Sequence, residues 1–428
     1  MAVAERRFPE WMRHVPAAGA RTFAILGGIE ASARAIVSSV LPLAAYRAMG
    51  DAAGLSRIYL LVGLTSLTAA LILPALGRHV RRRYLYSAGA LGLALAALLG
   101  GLFDGRFVLG ALFAQAIGTV TLTVCFNAYL MDYIARTELG ASESRRLFYS
   151  AGAWTIGPFL GVWLMDEVHP AAPFALSFCA ALLLIGAFWH FRLGDGKAIT
   201  RAKAPAPNPL AYLGSFARRP RLVAGWLFAS IRSCGWVAFY LYVPIFAVEN
   251  GLGEKAGGFM VSLGSVYLFA TPMMLRWLRR HSVRQAVMTG FACATASWIG
   301  AALLLQGSAL FAAVALETAA LFMIFLDVVG GLPFLMAVKP SERTEMSAVY
   351  STFRDVSNVV TPAIGSLVLL AAPLGGVFLL LGGLFAGASV LASTLPARLG
   401  AARLRSPAPG PALASGPPRP QPARSPET

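Results

Sequence analysis

Charge is scarce in this sequence. Asp, Glu, Lys and Arg supply 13% of its 428 residues, apolar types supply 57%, and the mean hydropathy is +0.67. Water-soluble domains carry roughly 25% charged residues, so most of the chain requires an apolar solvent. Cysteine is scarce as well. Cys125, Cys179, Cys234 and Cys293 all fall inside apolar runs, where they read as small buried hydrophobes and not as a disulfide framework. The five histidines are scattered without ligand spacing, so neither a metal nor any other cofactor is expected. There is no nucleotide-binding loop, no Ser/His arrangement and no polar segment long enough for a catalytic domain. The chain is not expected to be an enzyme. Residues 1–21 also lack the short apolar core and small-residue cleavage site of a signal peptide.

Long apolar runs are abundant. Polar breaks divide them into twelve spans near 22–46, 57–77, 84–103, 107–131, 147–165, 172–192, 222–248, 256–277, 285–306, 309–337, 346–371 and 373–395. Each suits a hydrocarbon core of roughly 30 Å, and 107–131 and 309–337 are long enough to be tilted or broken. The expected fold class is an all-α polytopic membrane protein of about twelve transmembrane helices. Its expected parts are an N-tail (1–21), a six-helix bundle (22–192), a basic linker (193–221), a second six-helix bundle (222–395) and a disordered C-tail (396–428). A short surface helix is expected near 208–217, within the Pro-containing linker.

The formal net charge of +17 is distributed by side. With both termini on one face, that face collects 29 of the 36 Lys and Arg, the other face four, and the spans three. This is the positive-inside pattern, which places both termini in the cytoplasm. It marks topology and gives no reason to expect nucleic acid as a partner.

The two halves repeat. A shift of 198 residues lays Gly27-x-x-x-Ala31-Ser32-Ala33-Arg34 over Gly225-x-x-x-Ala229-Ser230-Ile231-Arg232, and Pro74-x-x-x-Arg78-x-x-Arg81-Arg82 over Pro272-x-x-x-Arg276-x-x-Arg279-Arg280. Tyr149-Ser150 and Pro158-x-x-Gly161 likewise match Tyr350-Ser351 and Pro362-x-x-Gly365 at slightly larger shifts. Parallel six-helix repeats bind substrate at their interface near mid-membrane.

On these features the chain resembles the major facilitator superfamily over residues 22–395. The basic turn Pro74-Ala-Leu-Gly-Arg-His-Val-Arg-Arg-Arg83 lies where that superfamily carries Gly-x-x-x-Asp-Arg-x-Gly-Arg-Arg, with Arg78 replacing the acidic residue. The resemblance implies cytoplasmic gate loops at Arg78, Arg81 and Arg82 and at Arg276, Arg279 and Arg280. Gly157-Pro158-x-x-Gly161 in span 5 resembles the Gly-Pro-x-x-Gly-Gly segment of proton-coupled exporters, with Val162 in place of the last glycine. A kinked, closely packed helix explains the same residues.

Seven ionisable residues lie inside the spans: Glu30, Arg34, Arg232, Glu317, Asp327, Arg354 and Asp355. Each costs roughly 2.5–3.5 kcal/mol at mid-helix on insertion scales, so all should face the bundle interior or water. Arg34 and Arg232 each sit roughly 17–20 Å from the terminal edge of their spans at 1.5 Å per residue. In the superfamily, spans 1 and 7 line the cavity as a symmetric pair. The two arginines are therefore expected to face it from opposite sides and grip a carboxylate or phosphate. Structural pairing stays open beside this: Glu30 with Arg34, Arg232 with Asp327 or Asp355, and Arg354 with Glu317. Glu30, Glu317 and Asp327 are candidates for proton coupling, and Arg354–Asp355 for a gate or salt bridge. Gly330, Gly331 and Pro333 predict a bend after Asp327. Trp236 and Tyr240, with Asn127 and Asn358, complete the expected substrate pocket.

The expectation is a proton-coupled secondary transporter that moves a small organic solute, anions included, by alternating access of its two halves, and works as a monomer in the lipid bilayer. The 32 arginines against four lysines suggest a GC-rich bacterial source and hence an inner membrane. A multidrug or lipid exporter or flippase, and a non-transporting sensor of the same fold, are the alternatives.

Overall fold

The protein is described from a computed structural model covering residues 20–77, 79–102, 105–134, 139–191, 209–278, 280–339 and 342–396. The N-tail, Arg78, Arg279, most of the linker and the C-tail lie outside these residues. Every regular element among the described residues is helical. Span 1 comprises α1 (Ala20–Ala35) and α2 (Val40–Met49). Spans 2 to 6 are α3 (Ala52–Leu76), α4 (Arg82–Gly101), α5 (Gly105–Tyr133), α6 (Leu139–Glu167) and α7 (Ala172–His190). The linker contributes α8 (Pro209–Ala217), close to its expected place. Span 7 is α9 (Pro220–Glu249), span 8 is α10 (Glu254–Val266) with α11 (Thr271–Leu278), and span 9 is α12 (Val283–Leu304). Span 10 is α13 (Ala309–Val329) with α14 (Leu332–Ala337), span 11 is α15 (Arg343–Ser351) with α16 (Phe353–Val368), and span 12 is α17 (Leu374–Ser393).

Ten of these spans are long and apolar enough by themselves to cross a bilayer. The other two are α6 and α15–α16. The former begins eight residues before the expected 147, taking in Arg145 and Arg146, and the latter carries Arg354 and Asp355. Their polar content is what lowers their hydropathy, and α6 and α16 complete the two six-helix bundles. Large apolar side chains face outward, as at Leu370 (72% exposed) and Val390 (70%), a surface suited to lipid.

Three spans are broken where proline removes a backbone donor. Pro42 leaves the Ser38 carbonyl without an i+4 partner, and residues 36–39 form a turn in which Ser38 Oγ donates to the Ala35 carbonyl at 2.8 Å. Pro272 does the same to Leu268. Residues Tyr267–Ala270 tighten into a 3₁₀ turn, in which the Leu268 carbonyl accepts from the Thr271 N–H and, at 2.6 Å, from Thr271 Oγ1. In span 10 the predicted bend is a break at Gly330–Gly331 ahead of Pro333, whereas the 107–131 run is continuous within α5.

The end of the molecule that carries residues 20 and 396 is called terminal, the opposite end distal. Contacts between the bundles join α3 to α16, α6 to α10, and α2 to α9. Glycines allow the closest approaches. A Cβ on Gly63 would collide with the Asn358 carbonyl, and one on Gly258 would lie 2.9 Å from Val162 Cγ2. Buried Tyr242 bonds Ser56 across the joint at 2.8 Å, and Ser262 Oγ accepts from the Phe159 N–H at 2.9 Å. At the distal surface Arg47 pairs with Glu254, and Lys255 pairs with Glu167 and, at 2.8 Å, with Asp166. Tyr46 donates to Glu249 at 3.0 Å. The distal end is sealed.

Candidate functional site

A cavity of about 740 Å³ lies between the bundles. Its walls come from α1, the 36–39 turn, α2, α3, α5 and α6 on one side and from α9, α15 and α16 on the other. The lining segments, such as 59–70 of α3, 112–127 of α5 and 351–358 of α15–α16, occupy the middle or terminal portion of their spans. The space therefore sits beneath the distal seal and extends toward the terminal end.

Glu30, Arg34, Arg354 and Asp355 reach this cavity, as do Trp236, Tyr240, Asn127 and Asn358. Arg34 Nη1 lies 3.3 Å from Glu30 Oε1, one turn away on α1. Its side chain is 30% exposed, so pairing leaves it open to a solute. Arg232 is placed differently from its expected position. It is absent from the cavity wall, and its side chain is 11% exposed. Its Nε stands 2.9 Å from Asp327 Oδ1, and its Nη1 donates to the Leu326 carbonyl at 3.3 Å. Trp236 Nε1 donates to Asp327 Oδ2 at 3.0 Å, linking this pair to the cavity. Among the described residues the symmetric arginines thus occupy unlike surroundings: Arg232 meets an acid from another span, Asp327, whereas Arg34 meets Glu30 of its own helix.

Glu317 also departs from its expected partner. It is buried in α13 away from the cavity, and neither carboxylate oxygen has a hydrogen-bond partner. Arg354 instead lies 5.5 Å from the Phe353 ring centroid, with Arg232 at 5.6 Å from the same ring. Of the gate arginines, Arg81, Arg276 and Arg280 are exposed, while Arg82 lies over the Tyr129 ring at 5.6 Å. Gly157 and Gly161 let α6 pack directly on α1. A Cβ on Gly157 would lie 2.7 Å from Ala35 Cβ, and one on Gly161 would strike the Ile36 carbonyl, with Pro158 between them inside the continuous helix. Cys125 and Cys234 are buried and Cys293 is partly so, but Cys179 is on the outer surface of α7, a place an apolar thiol tolerates against lipid.

Arg146, Trp154, Gln115, Thr119 and Tyr59 also line the cavity, and sequence reasoning passed over all five. Arg146 lay one residue outside the expected span 5. The others are uncharged and carried no periodic signal, although Trp154 precedes the Gly157-Pro158 segment by less than one turn.

The geometry defines a two-bundle membrane transporter with a central cavity, and the comparisons agree. The pattern described as Major Facilitator Superfamily matches residues 23–337, and the chain belongs to that family. A comparison with curated proteins returned no match. Solved structures share the fold at low identity. The nucleoside transporter NupG aligns with TM-score 0.64 at 10% identity, over 87% of this chain and 98% of NupG. The peptide transporter POT in complex with sulfate gives 0.70 at 14% identity, over 89% and 96%. A POT family transporter in complex with 5-aminolevulinic acid gives 0.70 at 13% identity, over 89% and 97%. The chain is a transporter, not an enzyme.

Proposed function

We propose that this transporter moves a small organic anion by alternating access, driven by protons. The observation that carries the proposal is the cavity itself: it is sealed distally, lies at the joint of two repeats, and is lined by three arginines against two carboxylates. In a low-dielectric setting that excess favours an anionic solute. The halves, bounded near 22–192 and 222–395, rock about the joint. By the positive-inside pattern the termini are cytoplasmic, so this conformation is inward-facing, in a bacterial inner membrane, and the monomer is the working unit.

Coupling is assigned to Asp327 with Arg232 and Trp236. A carboxylate that gains a proton releases its arginine, and the Trp236 hydrogen bond carries that change to the cavity wall. Glu30 holds Arg34 in the corresponding place of the first half.

The test is uptake into proteoliposomes under an imposed pH gradient, with a panel of organic acids, nucleosides and peptides. Gradient-dependent accumulation of an anion is expected, and Arg34→Gln should abolish it while insertion and folding persist. Absence of gradient-dependent flux across the panel overturns the coupling assignment.

A further inference from the structure

A guanidinium and three rings run in contact across the joint between the bundles. Arg34 of α1 lies 5.8 Å from the ring centroid of Trp154 on α6. Trp154 is 5.5 Å from Tyr240 on α9, and Tyr240 stacks on Trp236 at 5.7 Å with an interplanar angle of 29°. All three rings border the cavity. The contact of Trp154 with Tyr240 joins opposite halves, so it must part when they rock, and a flat solute ring has the shape to occupy that place. The Trp236 N–H is already engaged by Asp327, which leaves Trp236 offering the cavity a ring face and no donor.

Charge completes the picture. Exposed Arg354 of α16 and Arg146 of α6 border the same space. A guanidinium fork matches a carboxylate with two parallel donors, and ring faces take a planar partner by offset stacking. We infer that the solute is a small aromatic carboxylate, its ring held by Trp154, Tyr240 and Trp236 and its carboxylate by the cavity arginines, with Arg354 foremost. The inference rests on the transporter reading above and narrows an organic anion to one chemical class. Trp154 becomes the specificity-determining residue.

The test is calorimetric binding to the purified full chain in nanodiscs, using benzoate, cyclohexanecarboxylate, benzamide and benzylamine. Stacking predicts that benzoate binds roughly tenfold more tightly than cyclohexanecarboxylate. Charge-assisted bonding predicts at least about tenfold over benzamide. Trp154→Leu should erase the preference for the aromatic ring, Trp154→Phe should keep it, and Arg354→Gln should erase the preference for the carboxylate. If Trp154→Leu fails to fold, the wild-type panel and Trp154→Phe still decide. Undetectable benzoate binding, equal binding of cyclohexanecarboxylate, or tightest binding of benzylamine overturns the inference. Gradient-driven uptake of cyclohexanecarboxylate without ring preference overturns it while leaving the transporter reading intact. Selective benzoate binding without gradient-driven flux supports the inference and overturns the proton coupling.

Discussion

Replacing Gly63 by alanine should open the distal seal without unfolding the protein. A Cβ at this position collides with the Asn358 carbonyl oxygen and lies 2.9 Å from the carbonyl carbon and 3.3 Å from Val359 Cα. All three atoms are backbone of α16 in the opposite half, so no side-chain rotamer can relieve the contact. Overpacking of this kind costs typically about 1–3 kcal/mol. The cost falls on the distally sealed conformation, because rocking separates α3 from α16. A penalty of about 2 kcal/mol multiplies the open-to-sealed ratio by roughly 30, raising a state populated at about 1% to about a quarter. Nitroxide labels at His169 and Gln306, exposed in distal loops of opposite halves, would report the change by double electron–electron resonance after replacement of the four cysteines. A second, longer distance should gain population in Gly63→Ala, and also in Lys255→Gln, which removes the pairs to Asp166 and Glu167. Gly161→Ala is the contrast. Its Cβ strikes the Ile36 carbonyl within one half, with the carbonyl carbon at 2.9 Å. That clash persists in either conformation, so the melting temperature should fall with little redistribution. An unchanged distance distribution in folded Gly63→Ala, or an equal shift in Gly161→Ala, would refute the reasoning.

Three further outcomes are expected. Asp327→Asn should end gradient-driven accumulation while solute exchange continues, and should lower the melting temperature. Stranding a buried arginine costs about 3–5 kcal/mol, and the 38% exposure of Asp327 favours the lower end; retained accumulation would remove Asp327 from the coupling role. Glu317→Leu should raise thermal stability by about 1–3 kcal/mol, since it removes a buried carboxylate whose oxygens have no hydrogen-bond partner, and a lower melting temperature would contradict this. Finally, Arg219 pairs with Glu342, fastening the start of α9 to the start of α15, and the hydrogen bond holds the Glu342 carboxyl below its usual range. A lowered carboxyl stabilises the folded form above the ordinary carboxylate range and loses that contribution as pH falls through the lowered value. At neutral pH Glu342→Gln should therefore speed tryptic cleavage of the Arg218–Arg219 bond, and on acidification through the carboxyl range the natural chain should lose melting temperature in a step that the variant lacks.

Much of the architecture was legible because membrane insertion writes itself into local sequence. Apolar run length gave the twelve spans, proline and glycine marked the break after Asp327, and the repeat announced two halves. The reading erred at span 5, where charged Arg145 and Arg146 belong to the helix. Hydropathy cannot separate a polar residue that ends a span from one that faces a wet cavity.

The sequence by itself determined the class of solvent this chain requires and the order of its apolar spans. Those properties follow from composition and rise per residue, which are local. Tertiary structure decided which charges meet. Repeat symmetry made Arg34 and Arg232 equals, yet Asp327 reaches only the second of them, from a helix 95 residues further along the chain. It also decided that Trp154 would meet Tyr240 across the joint of the halves, a contact between distant segments that only the packing of one bundle against the other creates.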